Sequence, residues 1–94
     1  MAAYIIAEVE VTDPAAYEKY RKLVAPSLAP YGGRFLVRGG VSEALEGEAP
    51  HRMVMLAFET MEAARAWHAS TDYAEAKALR LRAAKSRLIL VEGV

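Results

Sequence analysis

His51-Arg52-Met53-Val54-Met55-Leu56-Ala57-Phe58-Glu59 runs through six apolar residues without interruption, from Met53 to Phe58. A run of this kind reads as a strand buried on both faces. Before it, Gly47 to Pro50 reads as a turn, and Arg34 to Arg38 as a preceding strand. Gly39-Gly40 permits a bend or bulge, after which Glu43 to Glu46 is expected to resume the pairing. After it, Thr60 caps a helix through Ala69, and Ser70-Thr71-Asp72 interrupts that helix. Ser70 is a suitable cap for a new turn, and Asp72 with Glu75 has the spacing of a capping box. The helix is expected to resume from Tyr73 to about Ala84, followed by a last strand from Ser86 to Glu92.

The N-terminal part completes the pattern. Ala3 to Val11 alternates as a strand, with Ile5, Ala7 and Val9 on one face and Tyr4 and Ile6 on the other. Thr12-Asp13-Pro14 starts a helix, with Asp13 as N-cap and Pro14 at the first helical position. Tyr17, Tyr20, Val24 and Leu28 form its apolar stripe. Pro26 is expected to kink or shorten its last turns, and Gly32 or Gly33 to take the left-handed cap. The order is βαββαβ: a single α+β domain spanning residues 1–94, two helices over one face of a four-stranded antiparallel sheet.

Composition narrows the chemistry. The 94 residues are 54% hydrophobic, with twelve basic and twelve acidic side chains and no formal net charge. Zero net charge argues against a polyanion binder, so no nucleic-acid partner is expected. There is no Cys, which excludes a disulfide scaffold, a thiolate zinc site and a thiol nucleophile. Asn and Gln are absent too, so no mechanism uses a side-chain carboxamide. No stretch has the charge pattern of a targeting signal or the length of a bilayer span, and a cytoplasmic protein is expected.

Two helices cover only one face of the sheet. The other face still carries apolar residues: Tyr4 and Ile6 or their alternates, and likewise on the strands from His51 and Ser86. An exposed apolar patch of that size marks an interface. The expected partner is a second copy, the two sheets packed face to face.

The ordered set Tyr4-Ile5-Ile6-Ala7-Glu8-Val9, Asp13-Pro14, Tyr17, Tyr20, Gly32-Gly33-Arg34-Phe35-Leu36-Val37-Arg38-Gly39-Gly40, Glu46-Gly47, Phe58-Glu59, Trp67, Ser70, Tyr73, Arg80 and Val91-Glu92-Gly93 resembles the DUF1330 family of small dimeric α+β barrel proteins. The family has no assigned function. The resemblance spans nearly the whole chain and implies a ferredoxin-like monomer and a dimeric barrel. His68 and Thr71 depart from the family's usual residues.

Trp67, Ser70 and Tyr73 lie at the break in the second helix. There they either wall a pocket, with His68 beside them and Tyr73 as a hydroxyl donor, or simply fill the core. Cofactor-free monooxygenases of the same superfamily are similar here, with Trp, Tyr and Arg around a polyphenol. Arg38, Arg52 and Arg80 are suited to hold an anion or stabilise an enolate. The competing reading pairs them with Glu8, Glu46, Glu59 or Glu92 across strands or at the dimer seam. Glu59 is the candidate general base if desolvation raises its pKa. His51 and His68 lack ligand spacing, so no metal or haem is expected. The run Lys77, Arg80, Arg82, Lys85 and Arg87 lacks the strand aromatics of an RNA reader and suits a helix C-terminus.

Two functions therefore stand open. One is an enzyme without a bound cofactor, of isomerase, lyase or monooxygenase type, acting on a small anionic or aromatic metabolite. Arg38 or Arg80 would hold the anion, Tyr73 would donate and Trp67 would shape the pocket. The other is a dimeric module that binds a small molecule or a protein without catalysis.

Overall fold

The computed structural model describes every residue from Met1 to Val94. The elements are β1 (Ala3–Val11), α1 (Pro14–Leu28), β2 (Arg34–Arg38), β3 (Met53–Phe58), α2 (Met61–His68), α3 (Thr71–Ala83) and β4 (Ala84–Glu92). A single 3-10 turn, Ala29–Tyr31, follows α1. The four strands form one antiparallel sheet in the order β2-β3-β1-β4, and the fold is ferredoxin-like α+β.

The helix starts follow from their caps. Asp13 accepts from the Ala16 N–H, Thr60 from Ala63 and Ser70 from Tyr73, each satisfying a donor that the first turn leaves free. Of the two caps available at the helix break, Ser70 is the one used. Pro26 does not shorten α1, which continues to Leu28 before tightening into the 3-10 turn. Gly32 then takes the left-handed position with φ 68°.

Two strand boundaries differ from expectation. Glu43 to Glu46 do not resume the pairing, and no strand lies between Arg38 and Met53. The Gly39 N–H makes the final bond, to the Met53 carbonyl. Gly39 has φ +72°, which turns the chain away from the sheet. At the other end β4 begins at Ala84, with no loop after α3. Ala84 is itself extended, and both Thr12 and Asp13 donate to the Ala83 carbonyl.

One face of the sheet is dry. Ala3, Ile5, Ala7, Val9, Leu56 and Phe58 are buried there beneath Tyr17, Val24, Leu28, Ala64, Trp67 and Tyr73. Trp67 sits at the centre of this core, 4.0 Å from the Tyr73 ring and 5.7 Å from the Phe58 ring. The opposite face carries Tyr4, Ile6, Met53, Met55, Ile89 and Val91, brought side by side by the strand register. Ile89 and Val91 remain 43% and 42% exposed in the isolated chain. Glu8 and Arg87 pair at one end of this apolar face, with N and O 2.5 Å apart.

Candidate functional site

A cavity lies between α1 and the sheet. Ile5, Ala7, Val54 and Leu56 give it an apolar floor, while Tyr17, Tyr20 and Val24 descend from α1. Phe35 and Trp67 border it. It is partly open to solvent and offers about 30 Å³, room for roughly two water molecules. Three guanidinium groups border the same space: Arg21 from α1, Arg38 from β2 and Arg52 just before β3. No carboxylate lines it.

The sequence places those cations by local irregularity. Strict alternation would put Arg38 on the face of Arg34. A bulge between Phe35 and Val37 shifts the register, so Arg38 faces Val54 and joins Phe35 on the helix side. There its guanidinium stacks 4.2 Å over the Phe35 ring, and Nη2 donates to the Arg21 carbonyl at 2.8 Å. Arg52 lies against Gly39 and 5.5 Å from the Tyr17 ring. A Cβ on Gly39 would fall 2.3 Å from the Arg52 guanidinium carbon, so only glycine allows this approach.

These cations are poorly neutralised. Arg21 pairs with Glu18 at 3.3 Å on the exposed side of α1. Within one chain Arg38 and Arg52 make no ion pair with Glu8, Glu46, Glu59 or Glu92. Glu8 is taken by Arg87. Moreover, Nε of Arg21 and Nε of Arg52 are buried with no hydrogen-bond partner. A buried donor left unmade costs about 1–3 kcal/mol. Three cations around an apolar space that no carboxylate lines favour an anion there.

The residues at the helix break are placed differently. Trp67 is buried, and its Nε1–H donates to Ser27 Oγ at 3.0 Å. The Ser27 hydroxyl donates onward to the Val24 carbonyl at 2.6 Å. Ser70 is the N-cap of α3, and its hydroxyl also donates to the Trp67 carbonyl at 2.7 Å. Tyr73 is fully buried and does not line the cavity. Its hydroxyl lies 3.1 Å from the Tyr20 hydroxyl and accepts from Arg80 Nε at 3.2 Å. Arg80, 5% exposed, also donates to Ser86 and has no carboxylate within ion-pair distance.

His68 is half-buried beside a second cavity of about 190 Å³ between α2 and β4, with Arg65, Ala64 and Leu88. Desolvation lowers its pKa below the ordinary value, and Lys77 and Arg80 lower it further. Glu59 is exposed and borders no cavity. His51 is exposed, 3.9 Å from Glu10. No group of three acidic or imidazole side chains is arranged to hold a metal ion. No helix is long and apolar enough to cross a membrane.

The structure thus brings Trp67, Arg38 and Arg52 to one cavity and leaves Glu59, His68, Ser70, Tyr73 and Arg80 outside its lining. It adds Tyr20 and Arg21. Tyr20 was legible as part of an apolar stripe, where a phenol and an aliphatic chain read alike, and as one of the residues of the family resemblance, neither of which gave it a role. Arg21, next to it, carries no pattern of its own.

The antiparallel order and the helices on one face place the molecule in the class of ferredoxin-like α+β proteins. Solved structures share the fold. A protein of unknown function from Rhodopseudomonas palustris matches with TM-score 0.79 and 20% identity, over 99% of this chain and 82% of that one. A dimeric ferredoxin-like protein of unknown function from Jannaschia sp. CCS1 matches with TM-score 0.70 and 15% identity, over 99% and 100%. The cofactor-independent oxygenase SnoaB from Streptomyces nogalater matches with TM-score 0.67 and 16% identity, over 99% and 93%. No curated protein matches the sequence. The family model for the domain of unknown function DUF1330 matches residues 2–94, and the chain belongs to that family.

Proposed function

We propose that this protein binds the charged end of a small anionic metabolite in the cavity beneath α1, and acts on it through arginine and tyrosine side chains without a resident cofactor. The observation that carries this reading is the set Arg21, Arg38 and Arg52 around an apolar space with no carboxylate. Fixed guanidinium groups stabilise negative charge that develops on a bound enolate or oxyanion. Those isomerase, lyase and monooxygenase reactions that begin with an enolate or phenolate develop such charge. SnoaB, of the same fold, is a cofactor-independent oxygenase, so the scaffold accommodates reactions of this kind. In this reading Trp67 shapes the cavity, and Tyr73 and Arg80 act from behind it. Ser70 fixes the break that sets Trp67, and His68 borders a separate groove.

A second reading is favoured by one observation: the lining contains neither Asp, Glu nor His, so no side chain there serves as a general base at neutral pH. The protein is then a binding module for the same class of anion. In either case we propose a cytoplasmic homodimer, the exposed Ile89 and Val91 meeting a second copy. The fold is shared with proteins described as dimeric.

A thermal-shift screen with pyruvate, benzoate and salicylate against their neutral amides tests the reading. At a hundredfold excess over Kd, a ligand adds about 2.7 kcal/mol, which raises Tm by on the order of 10 °C. The carboxylates are expected to do so and the amides not. A shift that survives in the Arg38→Met/Arg52→Met protein overturns the site. Turnover of a stabilising ligand then separates enzyme from module. A sedimentation mass of one chain at micromolar concentration overturns the dimer.

A further inference from the structure

Three polar side chains behind the cavity form a chain of fixed polarity. Arg80 is a donor only. Its Nε donates to the Tyr73 hydroxyl oxygen at 3.2 Å. Tyr73 is 0% exposed, so its own proton must find an acceptor within the protein. The sole acceptor in reach is the Tyr20 oxygen at 3.1 Å. The reverse arrangement would have Tyr73 accept twice and leave its proton buried without a partner, at the cost such a donor carries. The Tyr20 oxygen is therefore an acceptor from Tyr73. The Tyr20 proton is left over, and no other group in the chain takes it. Tyr20 itself lines the cavity.

We propose that Tyr20 is the ligand-contacting end of a donor relay, Arg80 to Tyr73 to Tyr20, and that it binds the carbonyl or enolate oxygen of a small oxo-carboxylate whose carboxylate is held by Arg38 and Arg52. The inference rests on the anion reading of this same cavity and specifies its ligand. A buried guanidinium without a counter-ion polarises both hydroxyls in the same direction, which strengthens the terminal donor. Burial first, and then the Tyr73 charge, raises the Tyr20 pKa above that of a free phenol, while the Arg80 charge pulls it down. Tyr20 therefore stays protonated at neutral pH and acts as a donor, not as a base. Successive residues of a helix diverge by about 100°. Tyr20 and Arg21 thus approach the cavity from different sides, and the site suits a ligand with two separate oxygen functions.

The test compares pyruvate, propionate and propionamide by NMR titration of protein labelled with ¹³Cζ-tyrosine. Pyruvate is expected to bind about tenfold more tightly than propionate, the scale of one good hydrogen bond, and to shift the Tyr20 Cζ resonance. In Tyr20→Phe that preference disappears, and in Tyr73→Phe it shrinks, while binding of propionate persists in both. Both variants retain the ring, so packing is preserved, and Arg80→Lys is expected to keep part of the preference. Equal affinity for pyruvate and propionate in the wild type, with both lost in Arg52→Met, overturns the relay and leaves the anion site standing. Binding of neither acid beyond propionamide overturns the relay and the anion reading together.

Discussion

Trp67 divides two regions that use polar side chains in opposite ways. On one side, at the break between α2 and α3, every hydrogen-bonding group is matched. Trp67 donates to Ser27, Ser27 to Val24, and Ser70 to Trp67 while accepting from Tyr73. On the other side, beneath α1, Arg21 and Arg52 hold buried donors that nothing accepts. Matched groups rigidify a fold. Cations that no carboxylate neutralises are where an anionic ligand has something to gain. The break, which draws attention in the sequence, is architecture; the unmatched arginines are where binding is proposed.

The largest expected effect breaks the matched side. Trp67→Ala empties the centre of the core and leaves the Ser27 hydroxyl without its donor. Loss of a buried aromatic of this size costs about 3–5 kcal/mol, a large share of the stability of a domain this small. Urea unfolding measures it. A cost under about 1 kcal/mol would mean that the region around Trp67 repacks freely and is not the rigid half of the comparison.

Arg52→Met tests the unmatched side, and its sign is opposite. Methionine keeps the apolar stem and removes a buried donor that has no partner. The ligand-free protein is expected to gain about 1 kcal/mol, while carboxylate binding weakens at least tenfold. Stability lost in parallel with binding would show that Arg52 is structural after all.

Much of this division is visible in the sequence, and the rest is hidden for physical reasons. Asp13-Pro14, Thr60 and Ser70 declare the helix starts because capping is local chemistry. The unbroken run Met53 to Phe58 and the alternation of Ala3 to Val11 declare the sheet. Arg38 and Arg52 were candidates from the sequence, but which way they face depends on the bulge at Leu36 and on Gly39, and neither is a matter of pattern alone. A one-residue shift of register would have placed Arg38 on the opposite face. The partnership of Tyr20, Tyr73 and Arg80 joins residues 53 apart in sequence, which no spacing rule reaches.

Ser70→Ala is a smaller break on the matched side. It removes the α3 cap and the bond to the Trp67 carbonyl, at a cost of about 1 kcal/mol. Because Ser70 reaches the cavity only through the Trp67 backbone carbonyl, anion affinity measured under fully folded conditions is expected to stay unchanged. A loss of affinity beyond threefold would show that the two regions are coupled through Trp67.

The smallest effect concerns His68, which belongs to neither side. Its folded pKa is lowered, first by desolvation and then by Lys77 and Arg80, so the folded state resists a proton that the unfolded chain accepts near pH 6.5. As pH falls through that value, the unfolded state binds the proton first and stability declines. The decline ends below the folded pKa, where both states are protonated. His68→Leu removes this contribution. The stability difference between variant and wild type is therefore expected to grow in the variant's favour from pH 7.5 down to pH 5.5. Parallel stability curves over that interval would show that His68 is solvated in the folded protein and that the groove between α2 and β4 is open water.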